Sequence, residues 1–325
     1  VIGYYAHHHG AGHVNRAMTL APWLPEFTLL SSAAPPDSWD GDWVELARDD
    51  TGVAEDPTAH GLLHWVPRHD RGLSARMATI SAWIERARPE LMIVDVSVEV
   101  CLLARLHGIP VIAVAQPGIR DDVPHSMAYR IADRVVAPWP ASAGDLLPGV
   151  AHGDRLVHVG AFSRFDDRVP PPGPETRRVA LLLGRGGHDV PEEAVDRARA
   201  STPDWEWSLA GSSAASWVED PWTRLVDADV IVTHAGQNAL AEVAAARRPV
   251  IMVPQDRPHD EQRTMAATLR EGGRWPVVSL DGFPSHGWPA LLDLASGLDG
   301  ERWKDWNDGG GARRFAQVVC EVLRR

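Results

Sequence analysis

Short apolar runs alternate with helically spaced apolar residues along most of the chain. The opening VIGYY is a β-rich run, and NRAMTLAPWL, after a loop of histidine and glycine, has helical spacing. PEFTLLSS reads as a strand, residues 74–88 as a helix, LMIVDV as a buried strand, VEVCLLARLHG as a helix ended by Gly108, and PVIAVAQPG as a strand. Periodicity fails over residues 160–177, where a Pro-Pro-Pro run can continue neither a helix nor a central strand. The alternation then restarts through RVALLLG, PEEAVDRARAS, DWEWSLAG, DPWTRLVDA, DVIVTHAG, QNALAEVAAA and RPVIMVP, strand and helix in turn. Such alternation predicts parallel sheets covered on both faces. The expected fold is α/β: two Rossmann-like doubly wound domains, residues 1–162 and 178–312, facing across a cleft and joined by a linker at 163–177. A last helix at 313–325, with Phe315, Val318, Val319 and Val322 on one side, is expected to cross back to the first domain.

Composition narrows the function. An apolar content of 44% excludes disorder of the whole chain, and a net charge of -12 opposes general attraction to nucleic acid or anionic lipid. Cys101 and Cys320 form no framework of paired spacings, which favours a reducing compartment, and a cytoplasmic location is expected. No apolar run reaches the roughly 18 to 20 residues of a membrane-spanning helix, and no signal segment opens the chain, so membrane association is not indicated.

The densest chemistry lies in residues 229–269. A strand ending at Thr233-His234-Ala235-Gly236 and turning at once into a helix aims the backbone N–H groups of Gly236, Gln237 and Asn238 beyond the sheet edge, an anion site. His234 adds a side-chain donor for a diphosphate oxygen, and Glu242, farther along the helix, can accept from ribose hydroxyls. Glu261 and Gln262 follow the next strand, where open α/β sheets bind ligands, and suit sugar hydroxyls. Gly184, Gly186 and Gly187, after VALLLG, can add backbone donors.

In HHHGAGHVNRA, Gly10 and Gly12 let the first loop approach a ligand, and His13 at the cleft mouth suits a general base. His13 as a helix cap or loop partner is the alternative. Asp95, ending LMIVD, is placed either to orient His13 or to cap the next helix. No metal site is expected: His7, His8 and His9 alternate faces, so they cannot converge with His13. Nor is a dinucleotide fingerprint present, since Asn15 stands where the third Gly belongs. Asp227-Ala-Asp229 resembles a metal motif only in letters and reads as a helix terminus.

The run HAGQNALAE resembles the donor-site signature of the UDP-glycosyltransferase superfamily and of the family 28 glycosyltransferase C-terminal domain, at His234, Gly236, Asn238, Glu242, Pro254 and the pair Glu261-Gln262. Ser216-Trp217-Val218 is similar to the start of that signature, where the base is held. Glu261 departs from it, since many relatives carry Asp there. The Gly10-x-Gly12-His13 loop resembles the amino-terminal loop of lipid-linked N-acetylglucosaminyl transferases and of nucleotide-sugar hydrolases with GT-B architecture. These resemblances imply a GT-B enzyme that moves a sugar, with inversion and without a metal, from a nucleoside-diphosphate sugar to a small-molecule, glycan or cell-wall acceptor. The donor is then a co-substrate and no other cofactor is implied. By the same likeness Gly12, Gly186, Gly187, Trp217, Val218, His234, Gly236, Gln237, Asn238, Glu242, Glu261 and Gln262 hold the donor, while His13 and Asp95 are catalytic. The rival expectations are a hydrolase of nucleotide sugars and a non-catalytic binding protein of the same fold.

Overall fold

A computed structural model describes residues 1–8, 11–50, 52–150, 153–183, 189–209 and 220–325. The first half is a seven-stranded sheet of β1 (Ile2–Ala6), β2 (Phe27–Ser31), β3 (Asp42–Glu45), β4 (Leu91–Asp95), β5 (Val111–Val114), β6 (Arg134–Ala137) and β7 (Leu156–His158). Its order is β3-β2-β1-β4-β5-β6-β7, and every pairing is parallel. Helices α1 (Gly12–Leu20), α2 (Arg71–Ala87), α3 (Val98–Leu106) and α4 (Val123–Ile131) connect these strands.

The second half is a five-stranded parallel sheet of β8 (Arg178–Leu182), β9 (Glu206–Leu209), β10 (Val230–Thr233), β11 (Val250–Met252) and β12 (Val277–Ser279), in the order β12-β11-β10-β8-β9. It carries α5 (Glu192–Ser201), α6 (Trp222–Val226), α7 (Gln237–Ala246), α8 (Glu261–Arg270) and α9 (Trp288–Ser296). The expected α/β architecture is therefore present, with two parallel sheets and interleaved helices.

The central strands show why continuous apolar runs were needed. Along β4, Leu91 and Ile93 face one core, shared with Tyr4, Val14 and Phe315, while Met92 and Val94 face another, shared with Ile80, Trp83 and Val100. Both faces of the strand are dry, so polar alternation is absent. The last helix, α10 (Gly311–Leu323), returns to the first sheet: Phe315, Val318, Val319 and Val322 are buried beside Ile2, Val14 and Val136.

Asp229 immediately precedes β10. Its carboxylate accepts from the backbone N–H of Thr176 and Arg178 and so ties the linker to the start of β8. Among the described residues, no helix is long and apolar enough to cross a membrane.

Candidate active site

Parallel strands leave their carboxyl ends along one edge of each sheet, and the loops after β1, β4, β5, β10 and β11 converge there. They enclose a cavity of about 780 Å³ whose lining includes His13, Arg16, Gln116, His234, Gly236, Gln237, Asn238, Glu242, Glu261 and Gln262. Residues distant in sequence and assigned separately above thus share one space. Gly186, Gly187, Trp217 and Val218 lie outside the described residues, as do Gly10 and Gly184.

On the first-sheet side the centre is Asp95, fully buried at the end of β4. Its Oδ1 accepts from Arg16 Nη1 at 2.7 Å and its Oδ2 from the Tyr4 hydroxyl at 3.0 Å, with the Gln116 amide 3.4 Å from Oδ1. His13 Nδ1 stands 3.0 Å from Oδ1, a contact lying off the axis of a straight hydrogen bond. Burial drives this carboxyl towards its neutral form, but Arg16, His13 and Tyr4 together outweigh burial and hold it below its ordinary value. The orienting role of Asp95 is the one the geometry favours. The capping alternative falls to Ser97, whose hydroxyl accepts from Val100 N at 3.1 Å. His13 lies within α1, after its N-cap Ala11, so it does not cap that helix.

On the second-sheet side α7 begins after Gly236, and no side chain caps it. Its first-turn N–H groups are thus left for whatever occupies the cavity. His234 is buried, and its Nδ1 lies 2.7 Å from the Val253 carbonyl oxygen. A carbonyl only accepts, so Nδ1 carries a proton, and Nε2 can donate to a phosphate oxygen only when the ring is protonated. This qualifies the expectation that His234 is a ready donor.

Glu242 borders the cavity but is already engaged. Arg164, in the linker, donates from Nε to its Oε1 at 2.9 Å, and burial raises the Glu242 carboxyl above its ordinary value although Arg164 pulls the other way. Gln262 is buried, and its Oε1 accepts from the Gln255 backbone at 2.8 Å, which leaves its amide N–H groups as the ligand-directed capacity. Glu261 lies 3.8 Å from Arg120 Nη2.

The two halves touch within the cavity. Arg16 Nη2 donates to Gln237 Oε1 at 2.9 Å, so one guanidinium spans the Asp95 cluster and the start of α7. A Cβ on Gly12 would stand 2.3 Å from Asn238 Nδ2, so any larger residue there would displace the Asn238 amide. Arg16, Gln116, Arg120 and Arg164 were not singled out from sequence. Arg16 carried one usable signal, its three-residue spacing from His13 on a helix.

Beside this space a second cavity of about 1500 Å³ is lined by Val14, Met18, Trp23, Pro35 and Pro36, and it shares Ala11, Asn15 and Arg164 with the first.

Comparison with known proteins agrees with this fold. The model of the glycosyltransferase family 28 C-terminal domain matches residues 220–278. Over 232 residues, the chain is 27% identical to the UDP-N-acetylglucosamine--N-acetylmuramyl-(pentapeptide) pyrophosphoryl-undecaprenol N-acetylglucosamine transferase of Solidesulfovibrio magneticus, covering 61% of this chain and 59% of that protein. The protein of the same name from Sorangium cellulosum is 27% identical over 230 residues, 59% of this chain and 56% of its own. The chain thus spans less than two thirds of the length of these curated relatives. Among solved structures, the glycotransferase of kitacinnamycin superposes with a TM-score of 0.68 at 18% identity, covering 99% of both chains. The calicheamicin glycosyltransferase CalG4 does so with a TM-score of 0.67 at 19% identity, covering 100% of this chain and 98% of its own. The chain has the GT-B glycosyltransferase fold.

Proposed function

We propose that this chain is a glycosyltransferase that moves a sugar from a nucleoside-diphosphate sugar to an acceptor hydroxyl, inverting the anomeric carbon and using no metal at the diphosphate. The observation that carries this reading is the placement of the His13–Asp95 pair and the open start of α7 in one cavity.

With Nδ1 turned to Asp95, His13 presents Nε2 to the acceptor. That nitrogen takes the hydroxyl proton while the oxygen attacks the anomeric carbon from the face opposite the diphosphate. The sugar–phosphate C–O bond breaks, and its electron pair leaves with the nucleoside diphosphate. Asp95, held ionised, stabilises the imidazolium formed, and the N–H groups at Gly236, Gln237 and Asn238 stabilise the departing diphosphate. Glu242 is assigned to the ribose, which requires Arg164 to yield its contact, and Glu261 with Gln262 to the sugar.

The neighbouring cavity suits the acceptor. Its Val14, Met18, Trp23 and proline wall offers apolar contact while Asn15, Ser163, Arg164 and Asp166 offer polar partners, which suits an acceptor that has both an apolar body and hydroxyl groups. The relatives' names, one set lipid-linked and the other attached to natural products, both fit that description. A cytoplasmic setting is consistent with two cysteines that are both free thiols.

The test is the anomeric configuration of the product, read by NMR after a panel of nucleoside diphosphates has identified the stabilising one. Inversion is expected. Retention would overturn the mechanism, and sugar release as fast without an acceptor as with one would replace transfer by hydrolysis.

A further inference from the structure

The cleft holds a cluster that neither the donor chemistry nor the His13 pair uses. At the amino end of α4, Asp122 meets three imidazoles: His64 Nε2 is 3.2 Å from its Oδ1, while His125 Nδ1 and His259 Nδ1 are 2.7 Å and 3.5 Å from its Oδ2. One potential ligand atom from each of these four residues lies within 4.8 Å of all the others. His64, Asp122 and His125 belong to the first half, whereas His259 reaches in from the loop after β11 in the second.

His125 has a different part from the other two. Arg120 Nη1 lies 3.0 Å from its Nε2, and because a guanidinium only donates, Nε2 must accept. The ring proton then sits on Nδ1 and points at Asp122 Oδ2. His125 is thereby the outer group that fixes a ligating carboxylate. His64 and His259 remain, each with a nitrogen turned to the same carboxylate.

We propose that His64 Nε2, His259 Nδ1 and the Asp122 carboxylate bind a divalent transition metal of the zinc type, which ties the two halves together at the mouth of the cleft. Two imidazoles and one carboxylate are a ligand set suited to zinc, copper or nickel, and a three-ligand site leaves a position open towards the cavity. Ligands at the usual zinc distances of about 2.0–2.2 Å in a tetrahedron stand about 3.3 Å apart. His64 Nε2 lies 3.2 Å from Asp122 Oδ1 and His259 Nδ1 3.5 Å from Oδ2, so the carboxylate binds through both oxygens or turns to set one metal between the two rings.

Both flanks are already held. The backbone N–H groups of His64 and Trp65 donate to Glu99 Oε1 at 2.8 and 3.1 Å, and the Ile119 N–H donates to the His259 carbonyl at 2.8 Å. His259 and Asp260 are both left-handed, with φ of 61° and 51°, a costly conformation for two successive non-glycine residues that presents the His259 ring to Asp122. A second group, His8 with Asp49 and Asp50, is a poorer site because the two carboxylates are paired with Arg76 and Arg48.

The test is a titration of the intact chain, free of nucleotide, with Co²⁺ followed by its visible ligand-field absorption and with Zn²⁺ in competition. One metal per chain is expected. His64→Ala and His259→Ala should each weaken it by about tenfold or more, His125→Ala should weaken it less or comparably as an outer-group loss, and His8→Ala should leave it unchanged. His64 and His259 are partly exposed, whereas the side chains of His125 and His8 are buried, so circular dichroism melts are used to confirm that each variant folds. Zn²⁺ should also raise the melting temperature of the parent but not of His259→Ala. Absence of saturable binding, or binding that survives the His64→Ala/His259→Ala double variant, would overturn the site. Either result leaves the glycosyl-transfer reading standing, since no step of that reaction passes through this metal.

Discussion

At the scale of single residues, Asp95 has to stay charged while fully removed from water, and it does so only because Arg16, Tyr4 and His13 surround it. Replacing His13 by Ala should lower kcat by about 10²–10⁴-fold, the usual share of a general base, with nucleoside-diphosphate affinity nearly unchanged. Equal losses of both would recast His13 as a binding group. Asp95→Asn should likewise reduce kcat and spare that affinity, because Asp95 acts on His13 and not on the donor. The same residue makes a stability prediction. Its folded carboxyl titrates below its unfolded one, so its contribution is complete above the ordinary carboxylate range and is lost as pH falls through the depressed folded value. Urea midpoints followed from neutral into acid should therefore fall less steeply for Asp95→Asn than for the parent, and parallel curves would contradict the assignment. The nearness of His13 to Asp95 was legible in sequence because the loop after β1 and the end of β4 meet at one edge of a parallel sheet. Arg16 as the ion partner of Asp95 was not legible, since its burial depends on how α1 packs against β1 and β4. Nor was Arg164 at Glu242, a contact made by a linker without periodicity.

At the scale of elements, the apolar pattern located the long and strongly buried segments and missed the short ones. Strands β1, β4, β8 and β10 are continuous apolar runs, and each is buried along its length except at Arg178. Strand β3 reads DWVE and is half-exposed at the sheet edge, and the three-residue β7 and β12 leave no period to detect. Helices α4, α8 and α9 were missed for another reason: each follows a loop rich in proline, glycine or aspartate, whose turn signals mask the helical start. The most legible element was α10, whose four apolar residues on one side all lie in the first core. Its Phe315 packs edge-on to Phe162 with ring centroids 6.2 Å apart. Phe315→Ala should cost about 3–5 kcal/mol by removing a fully buried ring, measured as a loss in unfolding free energy in urea. A loss below about 1 kcal/mol would mean that the last helix is not seated on the first sheet in solution.

At the scale of the whole molecule, the question is what, besides the apolar cluster that runs from Met92 and Val94 of the first sheet to Leu182 and Ile231 of the second, holds the two sheets in register across the cleft. Among the described residues, the Arg16–Gln237 hydrogen bond joins the Asp95 cluster directly to the start of α7. Because Arg16 also neutralises Asp95, mutating it alone mixes two effects: a carboxylate left buried without its cation, and a lost contact between halves. A double-mutant cycle separates them. Arg16→Ala should be strongly destabilising, Gln237→Ala mildly so, and the pair should couple by about 1.5–3 kcal/mol, the range for a hydrogen bond to a charged group. Repeating the cycle with the saturating nucleoside diphosphate bound should change that coupling, since the ligand occupies the same helix start that Gln237 opens. A coupling near zero in both states would mean that this closed contact is not populated in solution, and the His13 pair and the donor helix would then meet only when substrate draws the halves together.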